Sequence, residues 1–480
     1  GGVGAGGGRC APGWRARIPP TAHAAALPSA MASPIPTVPP AYIVRTQCKR
    51  AGMKPLRVAL GDTVPMADDM LTTATYAQRI AFVCEIAGRL HSYGTTAQRL
   101  EGTVVGLSQR LGLDCEPWPN PTGLILSFSD PARPLGASDS TRVIRLAPGE
   151  TDLHKLSEAD RIADAVSNGQ MSIAQGHTAL RALDRTPSVR WRAMQIFASG
   201  LAAAAVAGLW RLPWMDMATA GLIGVIIGLL GEWIARRPQM KEASDAISAL
   251  VAGFVAILVA NFIAPLNLNT VIIASLIVLL PGMALTNAVN ELTSQHLVSG
   301  VARFAGALAT VLKLTVGSMI AVTLAQLLGL YPEVRASRPQ PEWVEWGAMV
   351  VAAYAFAVLF KAHRRDYFWV MAAAIAGYSI SRYAGLAWGV PVGIFLSALT
   401  LTAAGNAFAR WANRPGALIR VPGILMLVPG STTLRGLLTL VQQQDVGVGQ
   451  SALLAVTNVV MALIAGLLFG NLLISSRKNL

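Results

Sequence analysis

The chain has 480 residues, of which 53% are hydrophobic and only 13% charged, and its mean hydropathy is +0.49. An average soluble domain carries about 25% charged residues, so this composition excludes an ordinary soluble protein and indicates an integral membrane one. The net charge of +14 comes with 6% aromatic residues and no basic stretch interleaved with stacking aromatics; nucleic-acid binding is therefore not expected, and the excess Lys and Arg is referred to membrane loops.

Residues 1–70 are rich in Gly, Pro and Ala and read as a disordered or mis-assigned extension, with Met31 or Met53 as candidate starts. Prolines interrupt Gly1–Pro40 throughout, so no secretory signal is read. Residues 71–190 read as a soluble α+β domain. Helical spacing of apolar positions marks Tyr76–Tyr93 and Thr95–Leu111, with Gly94 between them. Strand alternation marks Gly123–Ser129 and Thr141–Leu146, separated by the loop Asp130–Ser140. Leu156–Ser167 and Ile173–Leu183 are again helical, with Ser157 and Ser172 as caps.

Cys10, Cys48, Cys84 and Cys115 all precede the first apolar span and show no CxxC or zinc-ligand spacing. The expectation is reduced thiols, no metal and no cofactor. His91, His154, Asp130 and Ser129 lack a GxSxG elbow or a ligand pair around them, so no catalytic set is read and an enzyme is not expected.

From about residue 194 long apolar runs alternate with short loops, at 194–212, 217–235, 246–264, 268–289, 303–329, 344–361, 367–385, 388–408, 421–441 and 450–474. Each approaches or exceeds the roughly 20 residues a spanning helix needs. The expected fold is an α-helical polytopic membrane protein of ten helices, with halves at 191–331 and 340–480. With the soluble domain inside, the inner loops hold Arg236, Arg237, Lys241, Arg303, Lys361, Arg364, Arg365, Arg410, Arg414 and Arg420, against Arg211, Arg335, Arg338 and Arg382 outside. Both termini are expected in the cytoplasm. Five helices per half is an odd number, so the two halves form an inverted repeat.

The fourth span of each half carries a Pro-Gly phrase: LLPGMALTNAVNEL at Leu279–Leu292 and LVPGSTTLRGLLTL at Leu427–Leu440. An interior proline removes a helix hydrogen bond and clashes with the carbonyl four residues back. Such breaks are tolerated in lipid only where protein or a water-filled cavity satisfies the freed groups, and paired breaks in two halves point to a transporter's substrate site. The candidate substrate-binding residues are Pro281, Gly282 and Asn287 in the first half, with Pro429, Gly430, Ser431, Thr432, Thr433 and Arg435 in the second. Backbone N–H groups at each new half-helix start attract a carboxylate, and Arg435, aligned with Asn287, could clamp one bidentately or snorkel to the surface. Lys313, near the middle of the fifth span, and Glu232 and Glu291, near the inner edge, are candidates for proton coupling; loop-edge solvation is the other reading of the two acids.

EIAGRLHSYG (Glu85–Gly94), PTGLILSFSD (Pro121–Asp130) and LHKLSEADRIADAVSNGQMS (Leu153–Ser172) resemble the soluble domain of the threonine/serine exporter family, bacterial proteins with ten membrane helices. LLPGMALTNAVNEL with HLVSGVARFAGAL (His296–Leu308) resembles the end of that family's first membrane half, and LVPGSTTLRGLL resembles its second. The resemblance implies proton-driven export of threonine and serine across the bacterial inner membrane, with these amino acids, protons and the lipid bilayer as partners. It leaves homo-oligomerisation open. The alternative is a membrane sensor or regulator whose soluble domain binds a ligand or partner.

Overall fold

The computed structural model describes residues 74–131, 139–332, 339–412, 414–427, 434, 438 and 446–475, all within one compact unit, Thr63–Leu480. Its amino-terminal part, residues 76–182, combines four helices with three strands. Helix α1 (Tyr76–Ser92) starts in a capping box, Thr75 accepting from the Gln78 N–H while the Gln78 side chain accepts from the Thr75 N–H. It buries Ile80, Val83, Ala87 and Leu90 in helical spacing, beside Leu100, Val104 and Leu107 of α2 (Ala97–Arg110).

Three antiparallel strands follow in the order β1 (Asp114–Asn120), β2 (Gly123–Ser129) and β3 (Ser140–Arg145). On β2 the alternating Leu124, Leu126 and Phe128 are fully buried. Strand β1 carries Pro117 and Pro119, which demote such a run when it is read as sequence; the chain accommodates them because β1 is an edge strand. Helices α3 (Leu153–Ser167) and α4 (Ile173–Ala182) complete the domain. Helix α4 is capped by Ser172 as expected, but α3 starts at Asp152, whose Oδ1 accepts the Lys155 N–H; Ser157 lies inside the helix.

The remaining helices are α5 (Val189–Leu209), α6 (Trp214–Ala235), α7 (Ser244–Phe262), α8 (Leu268–Ser275), α9 (Gly282–Thr293), α10 (Leu297–Leu327), α11 (Glu342–Leu359), α12 (Tyr367–Trp388), α13 (Val390–Ala412), α14 (Ala417–Leu425) and α15 (Val446–Leu473). Among the described residues seven helices are long and apolar enough to cross a membrane, which makes this a polytopic membrane protein. Of the ten expected spans, the fourth is divided at Pro281 into α8 and α9, and much of the ninth lies outside the described residues. Helix α12 has 22 residues, but Ser379, Ser381 and Arg382 dilute its apolar run.

Helix pairing is the same in both halves. Helix α5 packs on α6 and α8, α6 on α7 and α8, and α7 on α8 and α10. Correspondingly α11 packs on α12 and α14, α12 on α13 and α14, and α13 on α14 and α15. The halves meet where α5 lies against α11, and where α9 lies against α14 and α15.

The soluble domain caps one end of this bundle. Leu153 N–H and His154 N–H donate to the carbonyls of Phe360 and Lys361 between α11 and α12, and Glu101 pairs with His296 between α9 and α10. That end is called the near face below. Helix α5 crosses away from it, so the α5–α6 turn and the start of α8 lie at the far face.

Candidate functional site

The first break is built by Leu276–Pro281. Helix α8 ends at Ser275, the chain turns with Leu279 and Leu280 N–H both donating to the Leu276 carbonyl, and Pro281 caps α9. The first bond of the new helix runs from Leu285 N–H to the Pro281 carbonyl (2.9 Å), which leaves the Met283 and Ala284 N–H groups pointing beyond the helix start, as the residue pattern requires. Thr286 Oγ1 donates back to the Gly282 carbonyl (3.1 Å).

Gly282 lines a cavity of about 150 Å³ with Leu209, Trp210, Ile277, Tyr378 and Met426. The cavity therefore lies where the end of α8 meets the end of α14, between the two halves. Asn287, one turn further along α9, lines a different space of about 160 Å³ under the soluble domain. Polar side chains enter that near-face vestibule from every side: Thr95 and Arg99 come from the amino-terminal domain, Asn287 and Asn290 from α9, Arg420 from α14 and Asn471 from α15. Among the described residues Arg420 has no carboxylate within ion-pair distance, whereas Arg99 is held by Asp160. Burial raises the Asp160 carboxyl above the ordinary carboxylate range, with Arg99 opposing the shift.

The second-half candidates Pro429, Gly430, Ser431, Thr432, Thr433 and Arg435 lie outside the described residues. The three ionisable candidates do not come together. Glu291 is fully buried and accepts from Ala97 N–H (2.9 Å), Ser299 Oγ (2.7 Å) and Arg303 Nε (3.0 Å), so it joins the near-face hairpin to the soluble domain. Glu232 is half-exposed at the end of α6, 3.8 Å from Arg192. Lys313 is half-exposed and lies 3.9 Å from Asp245 in the first turn of α7. It thus stands level with the first turn of α7, sixteen residues beyond the start of α10.

Two features were not singled out in the sequence. Arg420 was read only as a loop charge; its place five residues from the end of a helix that leads into the second break was the available signal. Glu345, 2% exposed in the first turn of α11, accepts from Tyr378 Oη (2.7 Å) and Arg382 Nε (2.8 Å). The Glu345–Arg382 pairing is nonlocal, and sequence spacing gave no sign of it.

Two family models match the chain. The model described as "Putative threonine/serine exporter" covers residues 81–325, the soluble domain and first half, and "Threonine/Serine exporter, ThrE" covers residues 346–474, the second half. Among curated proteins, the "Probable threonine/serine exporter" of Mycobacterium tuberculosis is 22% identical over 350 residues, 68% of this chain and 63% of that protein. "Pheromone-regulated membrane protein 10" of Zygosaccharomyces rouxii is 23% identical over 365 residues, 74% of this chain and 37% of that protein. The namesake from Yarrowia lipolytica is 22% identical over 381 residues, 76% of this chain and 30% of that protein. The chain thus spans between about a third and two thirds of these relatives' lengths. No solved structure matches. With one model running through the soluble domain and first half and the other through the second half, the chain belongs to the threonine/serine exporter family.

Proposed function

We propose that the protein is a secondary active exporter of threonine and serine, driven by protons, with ten spans in two inverted halves and both termini in the cytoplasm. The inverted repeat is supported by the common pairing pattern of α5–α8 with α10 and of α11–α15. The observation that carries the transport reading is the stacking of two cavities along α9. A vestibule at the near face holds Arg420, which has no carboxylate partner among the described residues, and a second cavity at the break lies one turn deeper.

In this reading the near face is cytoplasmic, the inner membrane holds the bundle, and the zwitterion is collected in the vestibule. Arg420 takes the carboxylate through its planar fork, while Asn287 and Asn290 offer amide oxygens to the ammonium and hydroxyl groups. The substrate then passes to the break, where the free N–H groups of α9 receive the carboxylate, with Gly430, Ser431, Thr432, Thr433 and Arg435 as the candidates read from the sequence of the second half. Lys313, Glu232 and Glu291 hold ion pairs at the near face that open and close with the vestibule. A sensor has no need of paired cavities on one broken helix, which favours export over that alternative.

The test is efflux of labelled threonine from cells preloaded with a threonine dipeptide. Arg420→Ala is expected to cut protein-dependent efflux at least tenfold, the scale of a lost charged hydrogen bond of about 1.5–3 kcal/mol, with Arg420→Lys intermediate and membrane abundance unchanged. An uncoupler is expected to abolish the efflux. Wild-type efflux by Arg420→Ala would refute the vestibule, and no protein-dependent efflux of either amino acid would remove the substrate assignment.

A further inference from the structure

Asp216, the third residue of α6, is fully buried at the far face. Its Oδ2 accepts from the backbone N–H (3.3 Å) and side-chain Nδ2 (2.8 Å) of Asn267, the residue that precedes α8. Its Oδ1 is buried with no hydrogen-bond partner. The second half contains the counterpart. Asp366, 1% exposed, precedes α12, and both of its oxygens are held by Arg414, just ahead of α14. In each half, then, a buried aspartate at the start of the second helix grips the chain leading into the helix before the break, at opposite faces of the bundle. The second half supplies its own cation. Among the described residues the first half does not.

Among the described residues no side chain makes up the deficit. Helix α8 carries no charged residue. The charges of α5, Arg190 and Arg192, lie at its near-face end, where Arg192 meets Glu232. Those of α7 and of the turn Pro238–Ala243, namely Asp245, Lys241 and Glu242, lie at the near face too, with Asp245 paired to Lys313. Arg211, between α5 and α6, donates to the Gln340 carbonyl (2.5 Å) and faces Glu342 (3.8 Å). A carboxylate buried with one oxygen unpartnered is costly, and a cation or a proton at that oxygen would relieve the cost. A hard metal cation requires six or more oxygen ligands, and the polar partner described here, Asn267, presents donors. A proton needs only Oδ1. Asn267 also lines an open cleft of about 570 Å³ with Thr270, Thr323 and Gln326, so the carboxylate stands one residue from far-face solvent.

We propose that Asp216 is the group that takes up the coupling proton, from water in the far-face cleft onto Oδ1, and that protonation weakens its hold on Asn267 and frees α8 to reposition the first break. The Asp366–Arg414 pair is the permanently neutralised counterpart at the near face. The transport consequence rests on the exporter reading; the proton-sensitive grip on α8 does not.

Two measurements separate them. In proteoliposomes, Asp216→Asn is expected to lose uptake or efflux driven by a pH gradient while keeping threonine counterflow, and Asp216→Glu is expected to retain pH-driven movement. Independently, a cysteine at Thr270→Cys is labelled with a membrane-impermeant maleimide across a far-face pH series, after normalising to the reagent's own pH dependence and subtracting the protein without that cysteine. Labelling should change with pH when Asp216 is present and be flat in Asp216→Asn. Wild-type pH-driven transport by Asp216→Asn, or pH-dependent labelling that survives that substitution, overturns the proposal. Labelling that depends on Asp216 without any threonine or serine transport keeps the proton site and overturns the exporter reading instead.

Discussion

The carboxylate of Glu291 on α9 accepts the backbone N–H of Ala97, the first residue of α2, at 2.9 Å across 194 residues of sequence. That N–H is one of the donors a helix start leaves without an intrahelical partner, and a carboxylate there also meets the positive end of the helix dipole. The same carboxylate holds Ser299 and Arg303, and Arg303 reaches the Thr95 carbonyl (3.4 Å). The helix that carries the first break is thereby fastened to the domain that roofs the vestibule. Glu291→Ala should strand the largely buried Arg303 and cost about 3–5 kcal/mol, against about 1–3 kcal/mol for Glu291→Gln. Thermal unfolding in detergent and trypsin cleavage between α4 and α5 check this. Unchanged melting and protease resistance in Glu291→Ala would remove the latch.

Much of the local structure was legible in the sequence because it is written in local signals. The capping residue Ser172, the periodicity of α1 and α2 and the Pro281 break all act within one or two turns of the chain. Strand β1 was hidden by Pro117 and Pro119, which only an edge position tolerates. Glu291 was read as a candidate for proton coupling or for loop-edge solvation, and not as a buried latch, because its burial comes from a domain some two hundred residues earlier. Asp216 looks in sequence like an ordinary acid in a first helical turn; only the three-dimensional comparison with Asp366 and Arg414 shows that, among the described residues, it has no cation of its own.

His91 gives the soluble domain a defined response to acid. Its Nε2 faces the carbonyls of Pro121 (3.1 Å) and Ala147 (3.3 Å), which can only accept, so this nitrogen carries the hydrogen. Burial lowers the imidazole's pKa below its ordinary value. The unfolded chain therefore binds this proton first as pH falls. Stability contributed by the group is constant above about pH 6.5 and declines from there down to the depressed folded value. Hydrogen exchange across α1 should show this decline in the wild type, and a shallower one in His91→Gln. Equal slopes in the two proteins would exclude His91 as the cause.

Helices α5 and α6 approach closely enough that side chains are excluded at their crossing. A Cβ on Gly200 would stand 2.4 Å from Val225 Cγ2 and 2.7 Å from the Gly221 carbonyl oxygen, and one on Gly224 2.8 Å from both Ala203 Cβ and the Ser199 carbonyl oxygen. Gly200→Val should push α6 away from α5 and lower stability by about 1–3 kcal/mol or more. Gly231, on the same helix, has nothing within 4 Å of its Cβ position, so Gly231→Ala should be neutral or stabilising by up to about 1 kcal/mol. Melting temperatures of the two variants in one detergent decide it, and equal destabilisation would argue against this crossing.

Tyr378 joins the break cavity to a buried ion pair. Its ring lines the cavity beside Gly282, and its hydroxyl donates to Glu345 Oε1, the oxygen that also receives Arg382 Nε. Tyr378→Phe removes a hydrogen bond to a charged acceptor, about 1.5–3 kcal/mol at most, but Glu345 retains Arg382 and the ring still fills its place. Membrane abundance should therefore persist, and the change should appear in the KM for export because the ring is no longer pinned. Tyr378→Ala enlarges the cavity and should admit bulkier amino acids, measurable as competition of labelled threonine efflux by preloaded leucine. Glu345→Gln weakens both contacts at once and should lower thermal stability more than Tyr378→Phe does. If instead Tyr378→Phe and Tyr378→Ala left KM and competition unchanged, the cavity at the break would be packing space, and substrate would have to cross the bundle by another route.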